Sequence, residues 1–455
     1  MDCTKKAAEF VAGSTFEAIP APGVESAKTA IIDSVGVALA GSQEKSARIA
    51  ALLARGEGAK EESTLIGQGF RSSALLAALA NGTAGHALDY DYSYIQMGQP
   101  MAGLVAATFS LGEALGASGR EILAAYVAGY EVTARLVAAL APRMNQSSWH
   151  SAATVGSIGT TAASARLLGL NPEAVGMALG IAASMASGIV ANFATMTKPL
   201  HAGLAAKNGV LAARLARAGF TSNGAILERG KGFLQAFGGG PPVDEAGFAT
   251  LGRKFALVDG IRIKPYPCGG LTHSAVDALL ALRARHGLTP AAVARIEVGV
   301  TQRTYENIVY DKPQNGLQGK FSMPYILARA LVHGKLTLDH FTDEAVGDSS
   351  IRDLGEKIAM THNPAFEDGV DRRPSEVTVR LKEGRTLSHR VDCPKGGPES
   401  PMTAAEIREK FSQCAGRALG KEEVARALEL LENLEQLGDP APLFRLLLGG
   451  DRQGG

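Results

Sequence analysis

Alanine and glycine, rather than leucine or phenylalanine, dominate the apolar positions of the first 220 residues. Side chains this small let helix axes approach closely, which points to a compact bundle of many helices. Apolar residues recur at helical spacing over Ile31–Leu39, Ala74–Ala80, Val105–Leu115, Ile122–Ala139 and Ala153–Leu168. Glycine and proline punctuate them at Pro22-Gly23, Gly56, Gly58, Gly82, Gly116, Pro142 and Gly169, and Gly238 to Pro242 reads as a loop. The run from Ala174 to Thr197 carries no charge and is long enough to cross a bilayer. Its Ala, Gly, Ser and Asn192 content suits a buried helix and a loop better, so no membrane partner is expected.

The pattern changes near residue 260. Ala294 to Val300, Glu376 to Leu381 and Leu387 to Val391 alternate as half-buried strands do, and Lys382 to Arg385 reads as a hairpin turn. Helical segments are expected at Ser274–Arg285, Pro324–His333 and Ser350–Met360, which together with the strands predict an α+β domain. After Pro398 the chain turns helical again, with Thr403-x-x-Glu406 as a capping box and a second helix over Lys421–Leu437. Two helices are too few for a domain, so they are expected to pack on the N-terminal bundle. The expected organisation is mainly α. Residues 1–262 and 398–455 form a large multi-helical domain, into which 263–397 is inserted as a smaller α+β domain, and the Gly-rich tail frays.

Lys and Arg number 46 against 45 Asp and Glu, so no nucleic-acid partner is expected. The four cysteines, Cys3, Cys268, Cys393 and Cys414, form no C-x-x-C pair, which predicts no zinc site and fits a reducing cytoplasm. The start of the chain lacks the continuous apolar run of a secretory signal. No phosphate-binding P-loop, dinucleotide fingerprint or G-x-S-x-G elbow occurs.

Four segments group chemistry-bearing side chains. In His86-Ala-Leu-Asp89-Tyr90-Asp91-Tyr92-Ser93, a helix would place His86, Asp89 and Ser93 on one face; a solvated helix end is the plainer alternative. In Ser147-Ser148-Trp149-His150, Ser148 suits an N-cap, putting His150 in a first turn whose positive end keeps the imidazole neutral and available as a base; a capping-region histidine packed beside the chain's one tryptophan is the plainer alternative. In Thr197-Lys198-Pro199-Leu200-His201, a helix start beside Lys198 is a ready carboxylate site, unless Lys198 pairs with a carboxylate of the protein. In Lys264-Pro-Tyr-Pro-Cys268-Gly-Gly-Leu-Thr272-His273, prolines and glycines shape a rigid loop that suits binding groups, and Thr272 can cap the helix that His273 begins; a linker at a domain boundary is the plainer alternative.

In order and spacing, these segments resemble the MmgE/PrpD family, which includes 2-methylcitrate dehydratase, cis-aconitate decarboxylase and iminodisuccinate epimerase. The resemblance rests on Asn81-Gly-x-x-x-His86-Ala-x-Asp89-Tyr-Asp91, Thr197-Lys198-Pro-x-His201-x-Gly203, Lys264-Pro-Tyr-Pro-Cys268-x-x-x-Thr272-His273 and Lys320-Phe-Ser-Met-Pro-Tyr325. It implies that the inserted domain is a lid, that the protein is a homodimer, and that no metal or organic cofactor takes part. It also implies that Asp89, Ser93, His150, Lys198, Lys264 and Tyr325 line a site, with Gln99, His201, Cys268 and His273 as further substrate-binding candidates. The chain departs from the family pattern at Tyr92, at Ser93, where the family has threonine, and at Gln99, where the family has histidine. A glutamine cannot move a proton as imidazole does. Gly269 also stands where the decarboxylase has a polar group.

Family reactions build negative charge into a carboxylate beside the reacting carbon, so cations and N–H donors must meet it. Lys198 and Lys264 are the expected cations, His150 the base, and Tyr325 or a protonated Asp89 the acid. The leading expectation is a cytoplasmic, cofactor-free lyase dehydrating a hydroxy di- or tricarboxylate of the 2-methylcitrate type. The alternatives are an epimerase or isomerase of a succinate-like diacid, a cis-aconitate-type decarboxylase, and a catalytically silent carboxylate binder.

Overall fold

The computed structural model describes residues 2–94, 97–144, 147–239, 246–369 and 372–449. The chain forms two units: Met1–Ile261 with Thr403–Gly455, and Arg262–Met402. The protein is mainly α.

In the first unit, small residues do what their side chains allow. Helix Ala74–Ala87 lies against helix Thr197–Arg217, and the two backbones meet at glycines. A Cβ on Gly203 would stand 2.3 Å from the Leu79 carbonyl oxygen, and one on Gly82 would stand 2.8 Å from the Gly203 Cα. No real Cβ tolerates either distance, so only glycine permits this crossing. Helix Gly119–Met144 and helix Val155–Leu167 repeat the device, with Gly129 facing the Gly159 carbonyl. Gly119–Ala141 is long and apolar enough to span a membrane, but its apolar window is 89% buried inside this unit, as in a core helix. Caps fix the helix starts: Ser73 accepts from Leu76 N–H at 3.4 Å, and Asn171, followed by Pro172, accepts from Ala174 N–H at 2.9 Å. The uncharged run becomes helix Pro172–Ala183, an irregular stretch and a short 3₁₀ turn at Val190–Asn192.

In the second unit, four strands form a sheet in the order Ile358–His362, Val293–Val300, Ser375–Leu381, Thr386–Val391. The first pair is parallel and the others antiparallel. Register brings Val298 beside Val377 and Ile296 beside Val379, so one face is continuously apolar. Helices His273–His286 and Met323–His333 join those residues in one core. The turn from Leu381 to Arg385 closes the expected hairpin, with Gly384 at φ 92°.

Several boundaries differ from expectation. Ser350–Met360 is not one helix: a helix covers Ser349–Gly355, and Ile358 onward pairs with Val293–Val300 as a strand. The partner strand supplies hydrogen bonds that a local helical pattern could not foresee. Lys421–Leu437 is a helix only over Lys421–Glu432, followed by a 3₁₀ turn and a further helix, Ala441–Leu447. The capping box forms, with Thr403 and Glu406 bonding each other's backbone N–H. The chain returns to the first unit at Thr403 rather than after Pro398. The segment before it is tied to the second unit, where Gly396 O accepts from Ile263 N–H and Asp277 accepts from Lys395 N–H. Gly238 ends helix Phe233–Gly238; the rest of the expected loop at 240–242, and the tail from 450, lie outside the described residues.

The glycine crossing is directly testable. Gly203→Ala forces the backbones apart and is expected to cost about 3 kcal/mol, seen as a lower urea midpoint. Gly176→Ala, on a helix with no atom within 4 Å of the new Cβ, should instead gain about 0.5–1 kcal/mol.

Candidate active site

Helix Ala74–Ala87 carries His86 in its last turn and then stops. The expected single helical face through Ser93 therefore does not exist. Asp89 takes a left-handed backbone, φ 52°, a region that aspartate enters more readily than most residues with a side chain but still at a cost. From there an irregular segment carries Asp89 and Asp91 to a two-residue strand, Ser93–Tyr94; Asp89, Asp91 and Ser93 are all buried.

Helix Thr197–Arg217 brings Lys198 against this segment. The Lys198 ammonium donates to Asp89 Oδ1 at 2.7 Å, and both side chains are about nine-tenths buried. The expected alternative, pairing with a carboxylate of the protein, is thus realised. Gln99 Nε2 donates to Asp89 Oδ1 at 3.0 Å and Asp91 Oδ1 at 3.2 Å, so its carboxamide ties the two carboxylates together. His86 Nδ1 lies 3.1 Å from both Asp91 carboxylate oxygens.

His150 is not in a helix's first turn, as its neighbour Ser148 suggested. The next helix starts at Val155. The backbone around His150 is held instead by two bonds to the loop before Lys198: His150 N–H to Gly188 O at 3.0 Å and Val190 N–H to Ser148 O at 2.9 Å. Its imidazole stacks on His86 at 5.7 Å between ring centres, meets the Phe193 ring edge-on, and lies with Nδ1 2.9 Å from His201 Nδ1. Burial, with the neighbouring His86, Lys198 and His201, holds His150 well below the usual imidazole range. His201 is lowered for the same first reason. Both rings are therefore neutral near pH 7, for a different physical reason than a helix end. A bond between two Nδ1 atoms needs one ring protonated there and the other bare. One of the two imidazoles accordingly presents an unprotonated Nε2 and the other a protonated one.

A pair the sequence analysis passed over anchors this segment. Asp33, in helix Ala21–Gly41, forms a buried ion pair with Lys410, from helix Ala404–Ala415, at 2.5 Å. Asp33 also accepts from Tyr92 N–H at 2.9 Å, and Lys410 donates to Tyr90 O at 2.8 Å while lying over the Tyr90 ring. The available signal was a charged residue amid the apolar run Ile31–Leu39.

The other candidates belong to the second unit. Lys264, Cys268, His273 and Tyr325 are all buried there. Cys268 Sγ lies 3.4 Å from Thr272 Oγ1, and His273 Nε2 lies 3.3 Å from Cys268 O. Burial and the Lys264 charge push His273 well below the ordinary range. The Tyr325 hydroxyl donates to His340 O at 2.5 Å and accepts from Arg329 Nε at 3.1 Å, so its proton is already engaged. Among the described residues no group of three or more His, Cys, Asp or Glu side chains is placed to hold a metal.

Residues 5–246 match the MmgE/PrpD N-terminal domain and residues 266–436 the MmgE/PrpD C-terminal domain. The chain belongs to the MmgE/PrpD family. Among MmgE/PrpD relatives, it is 30% identical to the cis-aconitate decarboxylase of Mus musculus over 445 residues, covering 94% of this chain and 89% of that protein. It is 29% identical to the cis-aconitate decarboxylase of Homo sapiens, covering 94% and 90% of the two chains. It is 30% identical to that of Aspergillus terreus (strain NIH 2624 / FGSC A1156), covering 94% and 92%. These MmgE/PrpD relatives are lyases, and the matches run through both units.

The depressed histidines set a pH dependence of stability. The unfolded chain takes up protons near pH 6.5, whereas folded His150 and His273 resist them. The unfolded state then binds more protons, so stability is full above pH 6.5 and falls as pH drops below it. Each group contributes up to about 1.4 kcal/mol per pH unit. Urea midpoints measured from pH 7.5 to 5.5 should decline, and His150→Asn should make the decline shallower.

Proposed function

We propose that this protein is a lyase that removes CO₂ from an unsaturated tricarboxylate of the cis-aconitate type. Dehydration of a hydroxy di- or tricarboxylate, the leading expectation from sequence, has less support. The decarboxylase relatives span almost the whole chain. The two acids that dehydration would use are also committed elsewhere. Asp89 Oδ1 accepts from both Lys198 and Gln99, as a carboxylate does, and the Tyr325 hydroxyl donates to a backbone carbonyl.

The carrying observation is the buried pair of neutral imidazoles in the same unit as the Lys198–Asp89 ion pair. In a β,γ-unsaturated acid, the electron pair of the breaking C–CO₂ bond forms a new double bond. The old π pair takes a proton at the γ carbon. A trianion and one proton thus become a dianion and CO₂. Burial keeps His150 neutral, but a bound polyanion favours its protonation. In this reading the imidazole takes up a proton with the substrate and delivers it to the γ carbon. Lys198 offsets charge on the carboxylate beside that carbon, oriented by Asp89. Exclusion of water from so buried a setting favours loss of a charged carboxylate as neutral CO₂. Gln99 takes no part in proton transfer and acts as a fixed donor between Asp89 and Asp91.

The test is proton NMR of the protein with cis-aconitate in D₂O. The vinyl signal should vanish as a terminal methylene pair appears, with one deuterium on the saturated carbon next to a carboxylate. Formation of a hydroxy acid instead, or an unchanged spectrum, overturns the reading. Lys198→Met is expected to lower kcat by about 10²–10³.

A further inference from the structure

Gly269 and Gly270 lead into helix His273–His286 of the second unit. Its N-cap residue Thr272 makes no capping bond, because its hydroxyl donates to Gly269 O at 2.8 Å. In the first turn, the Ser274 hydroxyl is buried with no hydrogen-bond partner among the described residues.

Arg373 comes to the same place. A Cβ on Gly270 would lie 3.6 Å from Arg373 Nη1 and 3.8 Å from Lys264 Cε. Arg373 is only 8% exposed, yet among the described residues its guanidinium makes no hydrogen bond and no ion pair. Asp368 acts on it from beyond ion-pair distance. Burial and the charges of Arg262 and Arg303 pull its pKa down to about 9. It still carries its proton at pH 7. With no protein partner among the described residues and only a sliver of exposure, its charge is poorly solvated, so an incoming anion is favoured there. A protein that keeps such a guanidinium beside a second buried cation and a helix start has the components of an anion site.

We infer that Arg373 is a carboxylate-binding residue, which with Lys264 and the first turn of helix His273–His286 receives one carboxylate of a polycarboxylate ligand. The planar guanidinium matches a carboxylate with two parallel hydrogen bonds, which a lysine alone cannot make. Gly270 places no side chain of its own between Arg373 and Lys264. The ligand class rests on the function proposed above; the demand for an anion does not.

The experiment measures binding of propane-1,2,3-tricarboxylate, which has no double bond to react, to the full chain by titration calorimetry. Arg373→Gln should weaken binding roughly 10–100-fold. Arg373→Lys should restore part of it. Arg372→Gln, whose half-exposed side chain pairs with Asp392, should leave it unchanged. Arg373→Met should keep or raise the melting temperature of the ligand-free protein while losing most of the rise that the tricarboxylate produces. Unaltered affinity in Arg373→Gln overturns the inference, as does the absence of binding by the parent protein. A ligand-free melting temperature lowered in both Arg373→Met and Arg373→Lys marks a structural arginine and also overturns it. Turnover of cis-aconitate with an unchanged KM in Arg373→Gln removes the subsite and leaves the decarboxylase. Binding that depends on Arg373, in a protein inert toward cis-aconitate, removes the decarboxylase and leaves the subsite.

Discussion

The first unit depends on two helix backbones touching. Where Gly82 meets Gly203, helix Ala74–Ala87 and helix Thr197–Arg217 approach more closely than any side chain allows. One of these helices carries His86 in its last turn and delivers the Asp89 segment; the other begins with Thr197, Lys198 and His201. The buried ion pair between Lys198 and Asp89 is therefore set by the distance between two backbones. A rigid crossing is a suitable support for acid–base groups, because packing at glycines has one geometry and few alternatives.

Around that crossing, charges are kept out of water in compensated groups. Lys198 meets Asp89, Lys410 meets Asp33, and Gln99 bridges Asp89 and Asp91. Each buried charge would be destabilising alone, so removing one partner is worse than never having had the pair. The Asp33–Lys410 pair joins a helix near the N-terminus to one near the C-terminus and grips the backbone at Tyr90 and Tyr92. This explains how Asp89 is held in a left-handed conformation: its neighbours are fixed on the downstream side and its own carboxylate is fixed by Lys198. The C-terminal segment thus takes part in the candidate site although none of its residues carries chemistry there.

Much of the architecture was legible from periodicity. The main helices of the first unit and three of the four strands follow from apolar spacing, because each buries one face and the sequence shows that face. The strand Ile358–His362 was not legible; its hydrogen bonds come from Val293–Val300, and its own residues read equally well as the end of a helix. The candidate residues were found as short segments, but their roles shifted. Ser148 looked like a cap for His150, yet the chain there is bound to Gly188 and Val190 in a distant loop. Tyr325 looked like an available acid, yet its hydroxyl meets the His340 carbonyl.

By itself the sequence determined a mainly helical chain of small residues, a switch to α+β near residue 260, and membership of the MmgE/PrpD family. These are local or cumulative properties: periodicity, caps, and motifs in order. Tertiary structure alone decided that His150 is neutral through burial and faces His201, that Gln99 joins two carboxylates, and that Arg373 lies buried beside Lys264. Such facts depend on which groups are withdrawn from water together. Desolvation and pairing act between residues far apart in the chain, so no local pattern encodes them.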